Sequence, residues 1–180
     1  MKKILFLHGF FATGSCPMAR ALKEAFEETA VVLTPDLPLH PKEALKEIRS
    51  IIDREQPDLL LGNSCGSFFA QMLAPVVGIP ALLGNPYFMM TEFLKERIGE
   101  HEYKAPRRDG NQRLVIDEAL IEEFGSWKPC SLTIATHIIR IVCGDFLVSR
   151  TPWLTSPLSS WSITTKPSTS LAVIRLQSRR

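Results

Sequence analysis

The 180-residue chain has almost no surplus charge, with 21 Lys and Arg set against 19 Asp and Glu for a formal net of +2. So small an excess, with no basic stripe carrying interleaved aromatics, leaves no electrostatic footprint for nucleic acid or an anionic membrane surface. Cysteine is scarce too. Cys16, Cys65, Cys130 and Cys143 have no C-x-x-C spacing, so neither a zinc site nor a redox pair is signalled, and they read as free thiols in a reducing compartment. No apolar run is long enough to cross a bilayer. These absences point to one globular domain with a small-molecule partner, no nucleic acid and no membrane, and leave the oligomeric state open.

The opening MKKILFLHGFFATGSC has a Lys pair, an apolar run and Cys16 after small residues, in the manner of a lipoprotein signal. His8 and Gly9 break the run too early for that. The expectation is a cytoplasmic protein that begins with a buried strand.

What the chain has is an alternation of apolar runs and amphipathic segments. KILFL at 3–7, AVVLTPDLP at 30–38, DLLLG at 58–62 and IPALLGNP at 79–86 read as strands. Between them, PMARALKEAFEE, PKEALKEIRSIIDRE and CGSFFAQMLA read as helices. Such alternation predicts an α/β protein with a doubly wound parallel sheet and sites at the carboxyl ends of its strands. Further on, TEFLKERIG reads as a helix, HEYKAPRRDGNQR as a charged loop and LVIDEALIEEF as a helix.

GNSCG at 62–66 stands between a strand and a helix. Gly62 and Gly66 flank Ser64 at the spacing of a nucleophile elbow, where small residues allow the strained turn and close helix–strand packing. Ser64 is then the nucleophile, and the N–H of Cys65 is half of an oxyanion hole; a structural turn is the plain alternative. HGFF at 8–11 occupies the loop after the first strand. Gly9 lets that backbone turn, the Phe10 N–H supplies the other donor, worth on the order of 3 kcal/mol in such sites, and His8 orders the loop rather than acting as base. GFFATGS also spaces Gly9 and Gly14 like a phosphate-binding loop, but without the lysine such a loop needs. Asn85 and Pro86 either shape the pocket or cap the fourth strand. His40 reads as a solvated loop residue, and His101 has no better claim.

Taken in order, ILFLHGFFATGS, TPDLPLHPKEAL, LLLGNSCGSFFAQMLA and LLGNPY resemble the YqiA-like esterases, small α/β-hydrolase-fold enzymes, from residue 3 to about 125. The resemblance implies a cytoplasmic enzyme that cleaves carboxylic esters through an acyl-serine at Ser64, with no metal or cofactor. It also implies a later strand ending in a G-x-x-D turn for the acid, and a late Gly-His for the base.

The printed chain departs from that pattern. α/β-Hydrolases place nucleophile, acid and histidine in that order, yet no histidine follows Asp145. IIRIVCGDF imitates the acid-bearing strand, but His137 precedes it, so a structural or surface role suits Asp145 and His137 better. Composition breaks at the same place: residues 126–180 hold one acidic residue amid many Ser, Thr, Pro and Arg. Residues 1–125 thus read as an α/β-hydrolase core and 126–180 as an atypical tail, disordered or translated out of frame, leaving the fold incomplete. Read from the third base of each codon, Leu147–Ser156 permits GEQDTLAHF and Leu171–Leu176 permits GGHTP, so one alternative frame accommodates both the acid and the histidine. A genuine, divergent tail is the competing account. LAVIRL remains a candidate strand in either case.

Overall fold

The structure is a computed structural model that describes residues 1–127 and the backbone of residues 138–141, 161–164 and 173–176. Four parallel strands, β1 (Lys2–Leu7), β2 (Ala30–Leu33), β3 (Leu59–Asn63) and β4 (Ala81–Gly84), lie in the order β2-β1-β3-β4. Between them run α1 (Pro17–Phe26), α2 (Pro41–Glu55) and α3 (Cys65–Val77). The register sets Leu5 beside Leu33 on one side of β1 and beside Leu60 on the other. This is the doubly wound parallel sheet expected from the alternation of runs.

Strand periodicity explains why both faces are covered. Ile4, Phe6, Leu59, Leu61 and Leu82 point to one face, where Ala19 and Phe26 of α1 complete the cluster. Leu5, Leu7, Leu60, Ala81 and Leu83 point to the other, against Ile48 and Ile52 of α2 and Phe68 of α3. Crossovers between parallel strands are right-handed, so a connection that reverses direction across the sheet changes face. The step from β1 to β2 runs one way, and the steps from β2 to β3 to β4 run back. α1 is therefore on one face, and α2 and α3 on the other. The reversal leaves a crevice at the carboxyl ends of β1 and β3, the position at which open α/β sheets bind ligands.

After β4 the chain forms α4 (Met90–Lys95), then an antiparallel pair, β5 (Gly99–Glu102) and β6 (Arg113–Ile116), and then α5 (Glu118–Ser126). Two expectations change here. The charged stretch is a hairpin at its ends and a loop only in the middle, and the helix expected from Leu114 starts four residues later. Arg113–Ile116 alternates exposed and buried side chains as a strand does. Asp117, whose carboxylate accepts the Leu120 N–H at 2.8 Å, then caps α5.

Beyond residue 127, β7 (Ile138–Ile141) adds parallel to β4 at the sheet edge, and β8 (Trp161–Thr164) pairs antiparallel with β9 (Val173–Leu176) inside the LAVIRL segment. Asp145 and His137 lie outside the described residues, as do Cys130 and Cys143. Among the described residues no helix is long and apolar enough to cross a membrane.

Candidate active site

The crevice between β1 and β3 is where the two sequence motifs meet. β3 ends at Asn63, and α3 begins at Cys65, so Ser64 must reverse the chain alone. It does so at φ 53 and ψ −118, a left-handed conformation that costs a non-glycine residue of order 1–3 kcal/mol and is retained only where the surroundings fix it. Three contacts fix it. The Ser64 N–H donates to Gly84 O at 3.0 Å, the Ser67 N–H donates to Ser64 O at 2.9 Å, and the fully buried Ser67 hydroxyl lies 2.9 Å from Gly62 O and 3.1 Å from Gly84 O. Ser67 therefore ties the turn to the ends of both β3 and β4. Its sequence signal was slight: a small polar residue on the apolar face of α3.

Gly62 and Gly66 are required by space. A Cβ on Gly62 would sit 2.5 Å from Gly66 O and 2.6 Å from Ser67 Cα. One on Gly66 would sit 2.5 Å from Leu7 C and 2.9 Å from His8 O, with Leu7 O closer still. The first turn of α3 is thus seated directly on the end of β1. That brings Ser64 against the HGFF loop, where a Cβ on Gly9 would lie 3.4 Å from Ser64 Cβ and 3.8 Å from its Oγ. Gly9 is absent from the positive-φ residues, which corrects the expectation that the turn needs its conformational freedom. What glycine gives there is room beside the hydroxyl.

Phe10 begins the turn that the Ala12 N–H closes onto Gly9 O at 3.0 Å. Its ring packs edge-on to Phe11, Phe93 and Phe124, at centroid distances of 5.2, 6.1 and 6.1 Å. α4 and α5 thereby hold the loop from above through its side chain. The Cys65 N–H, in the first turn of α3, is a donor that the helix itself leaves unmatched. The Cys65 thiol is another matter. It is buried, and burial pushes its pKa up, so it is a packing group and not a thiolate nucleophile.

His8 is buried, with Nδ1 2.8 Å from Gly9 O and Nε2 accepting the Leu37 N–H at 3.0 Å. A carbonyl can only accept, so Nδ1 carries the proton and the ring is neutral. Burial, the largest influence, lowers its pKa from 6.5. With both nitrogens committed, His8 ties the HGFF loop to the loop after β2 and has no lone pair for Ser64. His40 is a half-exposed loop residue before α2, as expected, with Nδ1 2.8 Å from Glu123 Oε2. His101 is on β5, its Nε2 2.7 Å from Arg97 O and its ring against Phe11. Among the described residues, no histidine is hydrogen-bonded to Ser64. Asn85, at φ 42, follows β4 beside this turn. The Asn63 Oδ1 is buried without a partner.

A small, largely apolar cleft beside the turn is lined by Phe10, Leu37, Leu39, Phe69, Tyr103 and Phe124. Gly9 and Cys65, which adjoin the Ser64 turn, line it as well. The phosphate-loop reading of GFFATGS fails on geometry. Gly14 packs on the Thr34–Pro35 backbone, and its N–H donates to Asp36 Oδ1 at 2.7 Å, a carboxylate where a phosphate would have to be.

Residues 3–131 match the model of an uncharacterised protein family, UPF0227, a few residues beyond the limit of about 125 set by the motifs. Among solved structures, a monoacylglycerol lipase from Paleococcus ferrophilus is similar at a TM-score of 0.50 and 17% identity, covering 77% of this chain and 71% of its own. The alpha/beta hydrolase domain-containing protein 10 from mouse matches at a TM-score of 0.45 and 16% identity, covering 69% of this chain and 60% of its own.

Proposed function

The chain belongs to the UPF0227 family and has a hydrolase-like α/β fold; from that premise we propose that it is a cytoplasmic serine esterase by lineage, acting on carboxylic esters. Ser64 is the nucleophile, and the Phe10 and Cys65 N–H groups receive the charge that develops on the carbonyl oxygen. His8, Gly9, Gly62 and Gly66 hold these groups in place. The carrying observation is the backbone of Ser64, at φ 53 and ψ −118, strained at a strand-to-helix turn beside the glycine-lined space over its hydroxyl. Attack forms an acyl-serine and releases the alcohol; water then frees the acid. Both steps need a base to take and return a proton.

Among the described residues no histidine is placed to be that base. We propose that residues from about 126 onward are read out of frame, and the end of the family match at residue 131 supports this. The printed polypeptide is then an impaired esterase. Loss of triad members commonly costs about 10⁴-fold or more in rate, so p-nitrophenyl ester hydrolysis should be weak or absent. Resequencing the coding DNA around codon 125 tests the frame; a single intact frame with no homopolymer slip rejects it. A chain carrying the alternative-frame tail should recover turnover and lose it again on Ser64→Ala.

A second reading, a non-catalytic module that binds a small ligand, is favoured by one observation: both His8 nitrogens are engaged elsewhere. A fluorophosphonate probe separates the two. Labelling at Ser64 in the chain with the alternative-frame tail supports the esterase, and its failure to label supports the binding module.

A further inference from the structure

A groove away from Ser64 runs beside the outer edge of the sheet. Among the described strands β2 pairs only with β1, so its other flank is a sheet edge there. Lys23 of α1, Arg54 of α2 and Arg108 of the β5–β6 loop line an open groove of about 240 Å³ together with Val32 and Leu33 of this edge. That approaches the ~300 Å³ lower bound of ordinary small-molecule sites.

The charges are arranged to favour an anion. Glu55, the one carboxylate lining the groove, is already held by Lys3 at 3.1 Å and by Arg54 Nε at 3.1 Å. Nearby Asp36 accepts the Gly14 N–H at 2.7 Å and the Arg108 N–H at 2.8 Å. The Arg108 guanidinium is oriented by one nitrogen, Nη2, which donates to Thr34 O at 3.0 Å. A guanidinium has five N–H donors, so Arg54 and Arg108 keep several for a ligand, and among the described residues Lys23 has no hydrogen-bond or ion-pair partner. Three cations from separate parts of the chain, on α1, on α2 and in the β5–β6 loop, thus line one groove, and charge-assisted contacts from several such groups are what a polyanion needs.

We propose that this groove binds a small phosphate-bearing anion, with Lys23, Arg54 and Arg108 as its charge-matching residues. The site is independent of Ser64 and of the proposed esterase chemistry. Titration of the full chain with sodium tripolyphosphate at low ionic strength, followed by calorimetry, should show saturable one-site binding. Lys23→Glu should weaken it about tenfold or more, the loss expected for one charge-assisted contact. Lys42→Glu, on the same helix as Arg54 but roughly 18 Å earlier along its axis, should leave it unchanged, as should Ser64→Ala. Circular dichroism would verify that each variant is folded. No saturable heat, equal weakening by Lys42→Glu, or tighter binding of a poly-glutamate peptide than of tripolyphosphate would each overturn the proposal.

Discussion

Replacing Gly66 by alanine adds one methyl group at the point where α3 rests on the sheet. The new carbon would stand 2.5 Å from Leu7 C and 2.9 Å from His8 O, where ordinary contact begins at 3.4 Å. The obstacles are backbone atoms, with no flexible side chain to swing away. α3 must therefore retreat from β1 by roughly 1 Å, and it carries the buried Phe68, Phe69 and Leu73 with it. Overpacking commonly costs about 1–3 kcal/mol, and more where backbone must move; we expect at least 3 kcal/mol here. Set against a total of about 5–15 kcal/mol for a domain, that is a large fraction. Urea unfolding followed by circular dichroism should show a lower midpoint at unchanged slope. Gly84→Ala is the control, since its Cβ would meet only Asn63 Oδ1 and Gly62 O, both at 3.5 Å. A Gly66→Ala midpoint equal to that of Gly84→Ala would refute the claim that α3 is seated on β1 through this glycine.

Other outcomes follow from the same geometry. Gly9→Ala should fold with little loss, its methyl 3.8 Å from Ser64 Oγ, yet slow fluorophosphonate labelling in the chain with the alternative-frame tail; equal labelling rates would place the substrate path elsewhere. Asp117→Ala should cost about 1 kcal/mol through the lost cap, read as a lower thermal midpoint, whereas Asp117→Asn should retain most of the stability. Cys65 should resist Ellman's reagent until the chain unfolds, because its thiol is buried and its pKa raised; rapid reaction in the native state would contradict that burial. His8 predicts a pH effect. Its folded pKa lies below 6.5, so the unfolded chain binds the proton more readily and stability falls as pH drops through 6.5. Urea midpoints at neutral and mildly acidic pH should diverge less in His8→Asn than in the parent.

The parts of the fold legible in the sequence were those with redundant signals. β1 and β3 are continuous apolar runs because helices cover both their faces, and α2 has Pro41 at its start together with unbroken helical periodicity. The elbow was legible because Gly62 and Gly66 recorded a steric demand. β5 was not, since Gly99–Glu102 contains no aliphatic residue and is a strand only through its pairing with β6. In β6, the apolar Leu114, Val115 and Ile116 fit a strand or a helical face equally well. Asp117, the cap of α5, marks the boundary between strand and helix. Ser67 is silent in the sequence for a related reason: a serine on an apolar helix face has no visible partner until Gly62 O and Gly84 O arrive from two strands.

The parallel register of β1 and β3, Leu7 beside Gly62, also has a temporal consequence. Parallel neighbours cannot be joined by a hairpin, so the N-terminal strand must wait for a partner about fifty residues later, and pairings of long sequence separation slow folding. During synthesis, β1 emerges with nothing on its inner flank and cannot acquire a neighbour there until β3 has cleared the ribosome. Only then can Gly66 dock, and only after docking can the backbone at Ser64 hold its left-handed turn. The reactive geometry thus depends on segments distant in sequence, and a chain made only as far as Ser64 has the sequence of the site without its shape.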